Sequence, residues 1–351
     1  MTLKRLVAVA LLAASAFAVQ PATAGAAVTC AYDAGSRTVR LHLDGTITVF
    51  ERDGKALLAA GSPCAGATVG NTDMVDVDGA GELALQETTA RFGDIRFRLD
   101  LTAPSYLDVF RGDTNDTVTV GTGGVSLNRD DTVDVAVVGA WPRVYVSTAA
   151  GHDRLSAQGG HGTGGPTDEP VDFRVIGGGD VLRGGGGPDL LLRMFPRASD
   201  PPDRVYGYGG DDLLTLGWTD TDAVISGGPG VDTLGAAWTV PAIINLDGVA
   251  NDGVAGAHNN VMADVENLIG GKASDTFIGN ASVNQFKSGG GDDTLVGEGG
   301  QDRLKAGNGN DEIDVADGQL DHVWAGNGTD HVVLDCGLDV VNDAEATSCA
   351  S

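Results

Sequence analysis

The chain has 351 residues, of which 49 are acidic and 22 are lysine or arginine, and its net charge at neutral pH is −27. This charge argues against nucleic acid and anionic membrane surfaces as partners, and it favours cations. Hydrophobic residues make up 42% of the chain, which is too many for an intrinsically disordered acidic protein, so a folded core is expected.

The first 26 residues have the layout of a secretory signal peptide. Lys4 and Arg5 precede an apolar run over 6–19, and small residues follow it. As a membrane anchor the run is too short to span a bilayer comfortably. We therefore predict cleavage after Ala24 or Ala26. The mature protein should be secreted and extracellular, free or associated with the cell surface, and not inserted into a membrane.

Residues 27–105 predict a small β-rich N-terminal cap. Short runs with β propensity, such as those over 38–43 and 46–50, are separated by turn sequences, and 95–101 (IRFRLDL) alternates like a half-buried strand. Residues 106–173 contain runs such as DTVTV and DTVDVAVV, which predict degenerate solenoid coils, with a surface loop at 159–170. No long segment has helical periodicity.

Four cysteines occupy the two ends of the chain, Cys30 and Cys64 near the first and Cys336 and Cys349 near the second. An even number suits an oxidising compartment, and the sequence alone leaves three connectivities open. Because neighbours in sequence are the expected partners, we predict one local disulfide at each end. No zinc-ligand spacing links them.

A repeat of nine residues begins at Gly270 and continues to 342, with one unit of ten. Each unit has glycine in its first half, then an acid (asparagine in one unit), then a large apolar residue two positions later. The acidic column reads Asp275, Asn284, Asp293, Asp302, Asp311, Asp321, Asp330 and Asp339. The apolar column reads Phe277, Phe286, Leu295, Leu304, Ile313, Val323, Val332 and Val341. Eight consecutive units that hold both columns are a strong repeat signal.

Further copies lie upstream with looser spacing. Three of them place Asp189, Asp212 and Asp232 at the acidic position. Degenerate units, with fewer glycines or with insertions, centre on Asp153, Asp180, Asp203 and Asp222.

The period of nine has a physical explanation. Glycine supplies the conformations of a tight loop, and the three residues around the apolar position form a short strand whose central side chain points inward. Two units make one turn, so residues 18 apart stack at roughly 4.8 Å and the apolar column becomes a narrow core. We therefore predict an all-β fold, a right-handed parallel β-roll or β-solenoid. A flexible Gly-rich linker would not carry the apolar column.

Stacking also brings acids together. Two carboxylates about 4.8 Å apart repel by about 3 kcal/mol at an effective dielectric near 20, so a metal-free roll is predicted to be loose or unfolded. A divalent cation between the loops turns this repulsion into a net attraction. Calcium accepts irregular shells of six to eight oxygens, whereas magnesium requires a tighter octahedron and retains its waters. The sequence therefore predicts calcium as the cofactor.

These repeats resemble those of RTX (hemolysin-type) calcium-binding proteins, whose parallel β-roll binds one calcium ion between successive loops. The resemblance is specific over 174–343, and 245–271 is similar to an inter-repeat module of secreted actinobacterial members; 344–351 forms a C-terminal tail. The resemblance implies metal-binding roles for Asp189, Asp212, Asp232, Asp275, Asp293, Asp302, Asp311, Asp321, Asp330 and Asp339. Asn284 departs from the pattern, which implies a weaker site, and an inserted residue near Asp317 affects the neighbouring one.

Motifs of catalysis are missing from the sequence, which contains no G-x-S-x-G, H-E-x-x-H or phosphate-loop pattern. We therefore predict calcium binding coupled to folding, without a catalytic centre. The extracellular role of the protein would be structural, or it would be an interaction with a glycan or another protein. The candidate surface for such an interaction is formed by the outward rows that bear Arg303, Lys305, His322 and Trp324. Two alternatives stay open, a calcium-dependent polysaccharide-acting enzyme (lyase, epimerase or hydrolase) with a site around 106–173, and a cell-surface adhesin.

Overall fold

The computed structural model describes residues 29–350, apart from 54–55, 88–91, 93–94, 103–104, 129–131, 195–200, 218 and 237–238. In this part of the chain the regular structure consists of β-strands without a helix, which confirms the predicted all-β class. Accordingly, the described residues include no helix that is long and apolar enough to cross a membrane. The signal-peptide prediction concerns residues 1–26, which lie outside the described residues.

Parallel coiling begins close to the N-terminal end. The strands of this part are β1 (Thr29–Asp33), β2 (Thr38–Asp53), β3 (Ala56–Ala59), β4 (Ser62–Thr68), β5 (Met74–Glu87), β6 (Arg96–Leu101) and β7 (Tyr106–Arg111). The first half of β5 pairs in parallel with β6 and its second half with β7, while β2 pairs with both halves of β5. The strands β1, β3 and β4 add antiparallel pairs at this end.

The predicted turn between 38–43 and 46–50 is instead a bend inside the single strand β2. Gly45 has a φ of 93°, and Gly79 of β5, which is paired with Leu43 of β2, has a φ of 98°. A Cβ on Gly79 would collide with the backbone of Leu43 in the strand below. Glycine therefore lets each long strand turn a corner of the solenoid without ending.

One long parallel stack, which we call face A, continues from β7 to the C-terminal coils. Its members after β7 are β11 (Arg143–Ser147), β13 (Val171–Ile176), β15 (Leu190–Met194), β17 (Leu213–Thr215), β19 (Thr233–Gly235), β22 (Asn267–Ile269), β24 (Gln285–Gly290), β26 (Arg303–Asn308), β28 (His322–Asn327) and β30 (Val340–Asn342). Parallel pairing crosses 105 and 173 without a break, and the domain boundaries placed there stay predictions.

Two shorter parallel stacks alternate with face A along the chain. Face B consists of β8 (Thr117–Gly121), β12 (Arg154–Ser156), β14 (Val181–Arg183), β16 (Arg204–Tyr206), β18 (Val224–Ser226) and β21 (Asn260–Val261). Face C consists of β20 (Ile243–Asn245), β23 (Thr276–Ile278), β25 (Thr294–Val296), β27 (Glu312–Asp314), β29 (His331–Leu334) and β31 (Ala346–Cys349). The remaining strands, β9 (Gly124–Ser126) and β10 (Val135–Val137), pair with each other and with β8 and β6.

Faces B and C meet in the inter-repeat segment, where one carboxylate joins them. Asp252 is buried, and its two oxygens accept the backbone N–H groups of Asn245 and Val261, each at 2.7 Å. Because Asn245 belongs to β20 and Val261 to β21, this side chain ties the first strand of face C to the last strand of face B. Burial raises the pKa of Asp252 to about 6.

The core is one side chain wide on each short strand. On face C, Phe277, Leu295, Ile313 and Val332 stack in register, and all four are fully buried. Units 18 or 19 residues apart therefore lie directly above one another, as the period of nine predicts. The parallel β-roll prediction is confirmed.

Both predicted disulfides are present, Cys30–Cys64 and Cys336–Cys349, with Cα–Cα distances of 5.3 and 5.2 Å. Each lies at one end of the stack, where a terminal coil has a neighbour on one side only. Closing a short loop of this kind stabilises a fold by about 3 kcal/mol through the unfolded state.

Candidate metal centres

Each strand of the regular coils is preceded by a side chain that bonds the coil before it. On face A, Asp302 Oδ1 accepts the N–H of Asn284 at 2.8 Å, and Asp321 Oδ1 accepts that of Asp302 at 2.7 Å. On face C, Asp311 Oδ1 accepts the N–H of Asp293 at 2.8 Å. We call these two columns the carboxylate ladders. Each residue of a ladder that precedes a strand in this way is called a rung. One carboxylate oxygen of each such aspartate is thus used to hold neighbouring coils together.

The second oxygen of many rungs is buried and lacks a hydrogen-bond partner. This holds for Oδ2 of Asp153, Asp180, Asp212, Asp232, Asp293, Asp302, Asp311, Asp321 and Asp330. A buried acceptor left in this state costs about 1–3 kcal/mol, and more when it is charged. The ladders therefore require a proton or a cation.

Glycines make the space in which these oxygens lie. A Cβ on Gly207 or Gly297 would come closer than 3.0 Å to Oδ2 of Asp212 or Asp302, a separation that real Cβ atoms do not show. A Cβ on Gly309, whose φ is 143°, would meet the carbonyl oxygen of Gly291 in the coil below. Carboxylate and carbonyl oxygens thus surround small cradles that any side chain would fill.

The pKa values of the rungs show how unfavourable their charges are without a cation. Burial, together with the nearby Asp321 and Asp317, raises the pKa of Asp302 to about 7. Burial and then Asp293 and Asp330 raise the pKa of Asp311 to about 6. Hydrogen bonds from the backbone offset only part of this effect. The neighbours that act on these two groups are further acids, so a positive charge would be stabilised here.

These donors fit calcium as a hard cation. Within the described part of the chain, no group of three or more His, Cys, Asp or Glu side chains converges on one point. A site must therefore combine carboxylates of stacked coils with loop carbonyls, and such all-oxygen shells of irregular geometry suit calcium. The orphaned Oδ2 atoms and the glycine cradles satisfy this requirement, whereas the nitrogen and sulfur ligands of zinc are not present in the ladders.

All ten aspartates predicted from the repeats lie on a ladder. Face A carries Asp189, Asp212, Asp232, Asp302, Asp321 and Asp339, and face C carries Asp275, Asp293, Asp311 and Asp330. Asp339 is half-buried and the other nine are buried. Their individual roles in holding metal stay predictions.

Asn284 takes the face A rung between the strands β22 and β24. Its Oδ1 accepts the N–H of Asn280 at 2.9 Å, and its Nδ2 donates to the carbonyl of Glu266 at 3.1 Å. The neutral amide of Asn284 therefore has backbone partners for both its oxygen and its nitrogen, whereas a carboxylate at this position would need a cation. This geometry agrees with the weaker site expected beside Asp302.

Sequence reasoning missed two glutamates that serve as rungs. Glu266 Oε2 accepts the N–H of Asp232, and Glu345 Oε2 accepts that of Asp330, both at 2.8 Å. The signal for Glu266 was available, because it stands two residues before the buried Leu268, as each aspartate stands before its apolar residue. The glutamate takes the position of an aspartate there, and β19 and β22 remain paired in register across the inter-repeat segment.

Face B has its own ladder in the degenerate coils. Asp116, Asp153 and Asp180 give their backbone N–H groups to Oδ1 of Asp153, Asp180 and Asp203, at 2.7–2.8 Å. Asp222, predicted as the centre of a further unit, stands one residue too early for its strand. Ala223 is the rung there, and its N–H bonds Oδ1 of Asn259 at 3.0 Å.

Two buried arginines form ion pairs with acids on or near the ladder of face B. Arg111 and Asp116 are both buried, with Nη2 3.0 Å from Oδ1. Arg193 is also buried, and its guanidinium is paired with Asp203 and Asp220. Two of these loops therefore contain a positive charge that belongs to the chain itself.

A family model described as the RTX calcium-binding nonapeptide repeat matches residues 202–220, 263–295 and 287–319. These segments contain rungs of all three faces, among them Asp203, Asp212, Asp275 and Asp302. No curated protein matched the chain in a sequence search. The resemblance noted in the sequence is thereby confirmed, and the chain carries RTX calcium-binding nonapeptide repeats folded as a parallel β-roll.

Proposed function

We propose that this protein is secreted and that calcium outside the cell completes its folding, with a structural or binding role and without a catalytic centre. The observation that carries the proposal is the row of buried, unpartnered Oδ2 atoms along both ladders of the C-terminal coils. Bound calcium supplies positive charge between the loops. The chain's part is to hold Asp302 and its equivalents in place through their Oδ1 bonds to the coil before.

Free calcium concentration then decides the state of the chain. Extracellular calcium modules bind at about 10⁻⁴–10⁻³ M, far above the concentrations at which intracellular buffers saturate. A site in tenfold excess of its dissociation constant adds about 1.4 kcal/mol, and six such sites add roughly 8 kcal/mol, comparable to the stability of a domain. The two disulfides also suit an oxidising, extracellular setting.

A circular dichroism titration tests this proposal. We expect strand signal to appear cooperatively as calcium is added, to disappear with chelator, and to be largely missing with magnesium. Substitution of the exposed Asp314 by Asn serves as the matched control and should leave the calcium midpoint unchanged, because its side chain is outside the ladders. A chain that is fully ordered after exhaustive removal of metal would contradict the proposal.

One cluster favours the enzymatic alternative enough to be tested. On the outward side of face A, burial and the neighbouring Glu82 raise the pKa of Asp108 to about 8. Arg174 pairs with Asp172 through two bonds of 2.9 Å and lies 4.5 Å from the centre of the Tyr145 ring. A carboxylic acid that stays protonated at neutral pH is a property of general acids.

We assign this cluster a structural role, because its members satisfy one another across adjacent strands. A screen of glycans for cleavage or epimerisation, with calcium present, should therefore find no turnover. Turnover that is lost in Asp108→Asn and retained in Asp314→Asn would instead establish the polysaccharide-acting enzyme.

A further inference from the structure

The outward side of face A has a groove of about 360 Å³ between β19 and β28. Its floor is the sheet itself, and its walls include Lys287, Arg303, Lys305 and Trp324. The ladders face the loops, and the apolar column faces the core. The groove thus lies on a surface that neither calcium binding nor the core uses.

The strand register aligns these side chains in two rows. Lys287, Lys305 and Trp324 are successive neighbours in one row, and Gln285 and Arg303 are neighbours in the other. Strands in a sheet are about 4.8 Å apart, so each row presents a charged or aromatic group at every step.

Positive charge is concentrated at this place. Residues 263–345 contain four lysines and arginines, and three of them, Lys287, Arg303 and Lys305, line the groove, whereas Lys272 does not. The lining residues include no acid. On face C, by contrast, the exposed outward positions of β27 carry Glu312 and Asp314.

An aromatic platform closes one end of the groove. The Trp324 indole is 38% exposed, and the His322 ring stacks on it with centroids 6.1 Å apart and planes 19° from parallel. Trp324 contributes nothing to the core from this outward position. An exposed indole beside a basic row is a feature of binding surfaces.

We propose that this basic and aromatic groove binds an acidic polysaccharide, a chain of uronate sugars. Arg303 can hold a sugar carboxylate through two parallel bonds, and Lys287 and Lys305 add point charges along the same direction. The apolar face of a pyranose ring packs on an indole, and the amide of Gln285 can bond ring hydroxyls. The proposal rests on the proposed function only in requiring that the coils be folded.

The net charge of the chain does not exclude an anionic ligand. Interactions between exposed charges are screened beyond about 8 Å at physiological ionic strength. The immediate surroundings of the groove, which are basic, therefore decide binding. An anion that extends far beyond the groove would meet the many acids outside it, so the ligand recognised is a short stretch of the uronate chain, and single-stranded DNA serves as the competing anion in the test.

Calorimetric titration of the full chain with galacturonate hexamers, in calcium, tests the groove. Short oligomers are used because calcium gels long polyuronates. We expect saturable binding that weakens with added salt. The double substitution R303Q/K305Q should reduce the affinity at least tenfold, and W324A several-fold, since each removes a charge-assisted bond or the stacking surface. K272Q removes the same charge outside the groove and should change the affinity less than twofold.

Dichroism of each variant separates the two proposals. If the groove variants fold with calcium as the parent does and bind the hexamer as tightly as the parent, the groove proposal is overturned and calcium-coupled folding is unaffected. Binding of single-stranded DNA as tight as that of the hexamer, or no binding of the hexamer to the folded parent, would also overturn it. A parent that does not fold with calcium would refute the proposed function itself.

Discussion

In two regions of this solenoid buried acids lie close together, and the positive charge that stabilises them comes from a different source in each region. In the coils between 106 and 220, the buried guanidinium groups of Arg111 and Arg193 are paired with ladder and loop acids. In the coils from 263 onward, the described ladder acids have other acids as neighbours, and many keep an unpartnered oxygen. The first region carries part of its positive charge in the chain, although Asp153, Asp180 and Asp212 keep an unpartnered Oδ2 there as well. The second region must take all of its positive charge from solution.

The coils before residue 106 form a third region, which differs from the later coils in its core. The N-terminal coils have strands of up to 16 residues and a cluster of Phe50, Phe92 and Phe97 with ring centroids 5.3–5.7 Å apart. The later coils bury one apolar side chain on strands that are mostly three residues long. Because each coil of a solenoid contacts only its neighbours, its stability is set locally. Calcium dependence should therefore increase along the chain.

Calcium removal provides the largest test of this difference. In chelator, amide hydrogen exchange should become fast over 263–345, while 38–128 stays protected, because loss of six sites removes on the order of 8 kcal/mol from the later coils. Exchange followed by mass spectrometry measures both regions in one sample, and magnesium in place of calcium is the control. Uniform loss of protection along the chain would show that the two regions are one cooperative unit.

Replacement of Arg193 by Met should make the first region resemble the second. The substitution keeps an apolar stem but leaves Asp203 and Asp220 buried without their cation, which costs about 3–5 kcal/mol. We expect urea unfolding of the coils over 154–206 to shift to lower concentration in chelator and to recover in part with calcium. Arg204→Met, at an exposed outward position of β16, is the matched control, with an expected change below about 0.5 kcal/mol.

If Arg193→Met left the stability of these coils unchanged in chelator, the guanidinium would not be acting as an internal cation. Equal losses with and without calcium would mean that its packing, and not its charge, stabilises the loops.

Asp302→Asn tests the second region, and its effect should change sign with calcium. Without metal, the amide removes a disfavoured charge and can still accept the Asn284 N–H, so stability should rise by about 1 kcal/mol. With calcium, one charged ligand is lost, and stability should fall by about 1–2 kcal/mol, which raises the calcium midpoint severalfold. Asn284, two units and therefore one coil earlier, is a natural example of this exchange.

Dichroism-monitored urea unfolding at both calcium levels, with Asp314→Asn as the control, measures this reversal. Destabilisation of equal size in both conditions would show that Asp302 acts through its Oδ1 bond alone.

The regular coils could be predicted from the sequence because a fixed period fixes the register. Once Asp293 and Leu295 recur every 18 residues, their positions above one another follow from strand geometry alone. Arg193 could not be found in this way, since its partners Asp203 and Asp220 lie in different loops at no repeated spacing. Asp252 joins two faces for the same reason, through an inserted segment whose path depends on tertiary contacts.

The groove shows a similar division. The sequence placed Arg303, Lys305, His322 and Trp324 on outward rows, since alternate residues of a strand point to opposite sides. The period also implies that Lys287 continues the basic row, because it stands 18 residues before Lys305. The sequence could not show that no lining residue is acidic, because part of the lining, such as Thr233, comes from outside the regular repeats.

Acid provides the smallest test, since protons can replace calcium in part on the carboxylate ladders of both regions. The raised pKa values of Asp302 (about 7), Asp311 (about 6) and Asp321 (about 6) mean that the folded, metal-free coils bind more protons than the unfolded chain does. Their contribution is therefore fully present below the unfolded value near 3.8 and is lost as the pH rises through about 6–7. In chelator, we expect strand signal over these coils to return in part between pH 7.5 and pH 5. The coils that carry Asp153 and Asp180 should be stabilised over the same range, because burial raises the pKa values of these two groups to about 6 and about 7. With calcium present the same protons compete with the metal, so the calcium midpoint should rise as the pH falls below 6. A metal-free roll that loses further structure on acidification would mean that charge repulsion along the ladders is not what keeps it open.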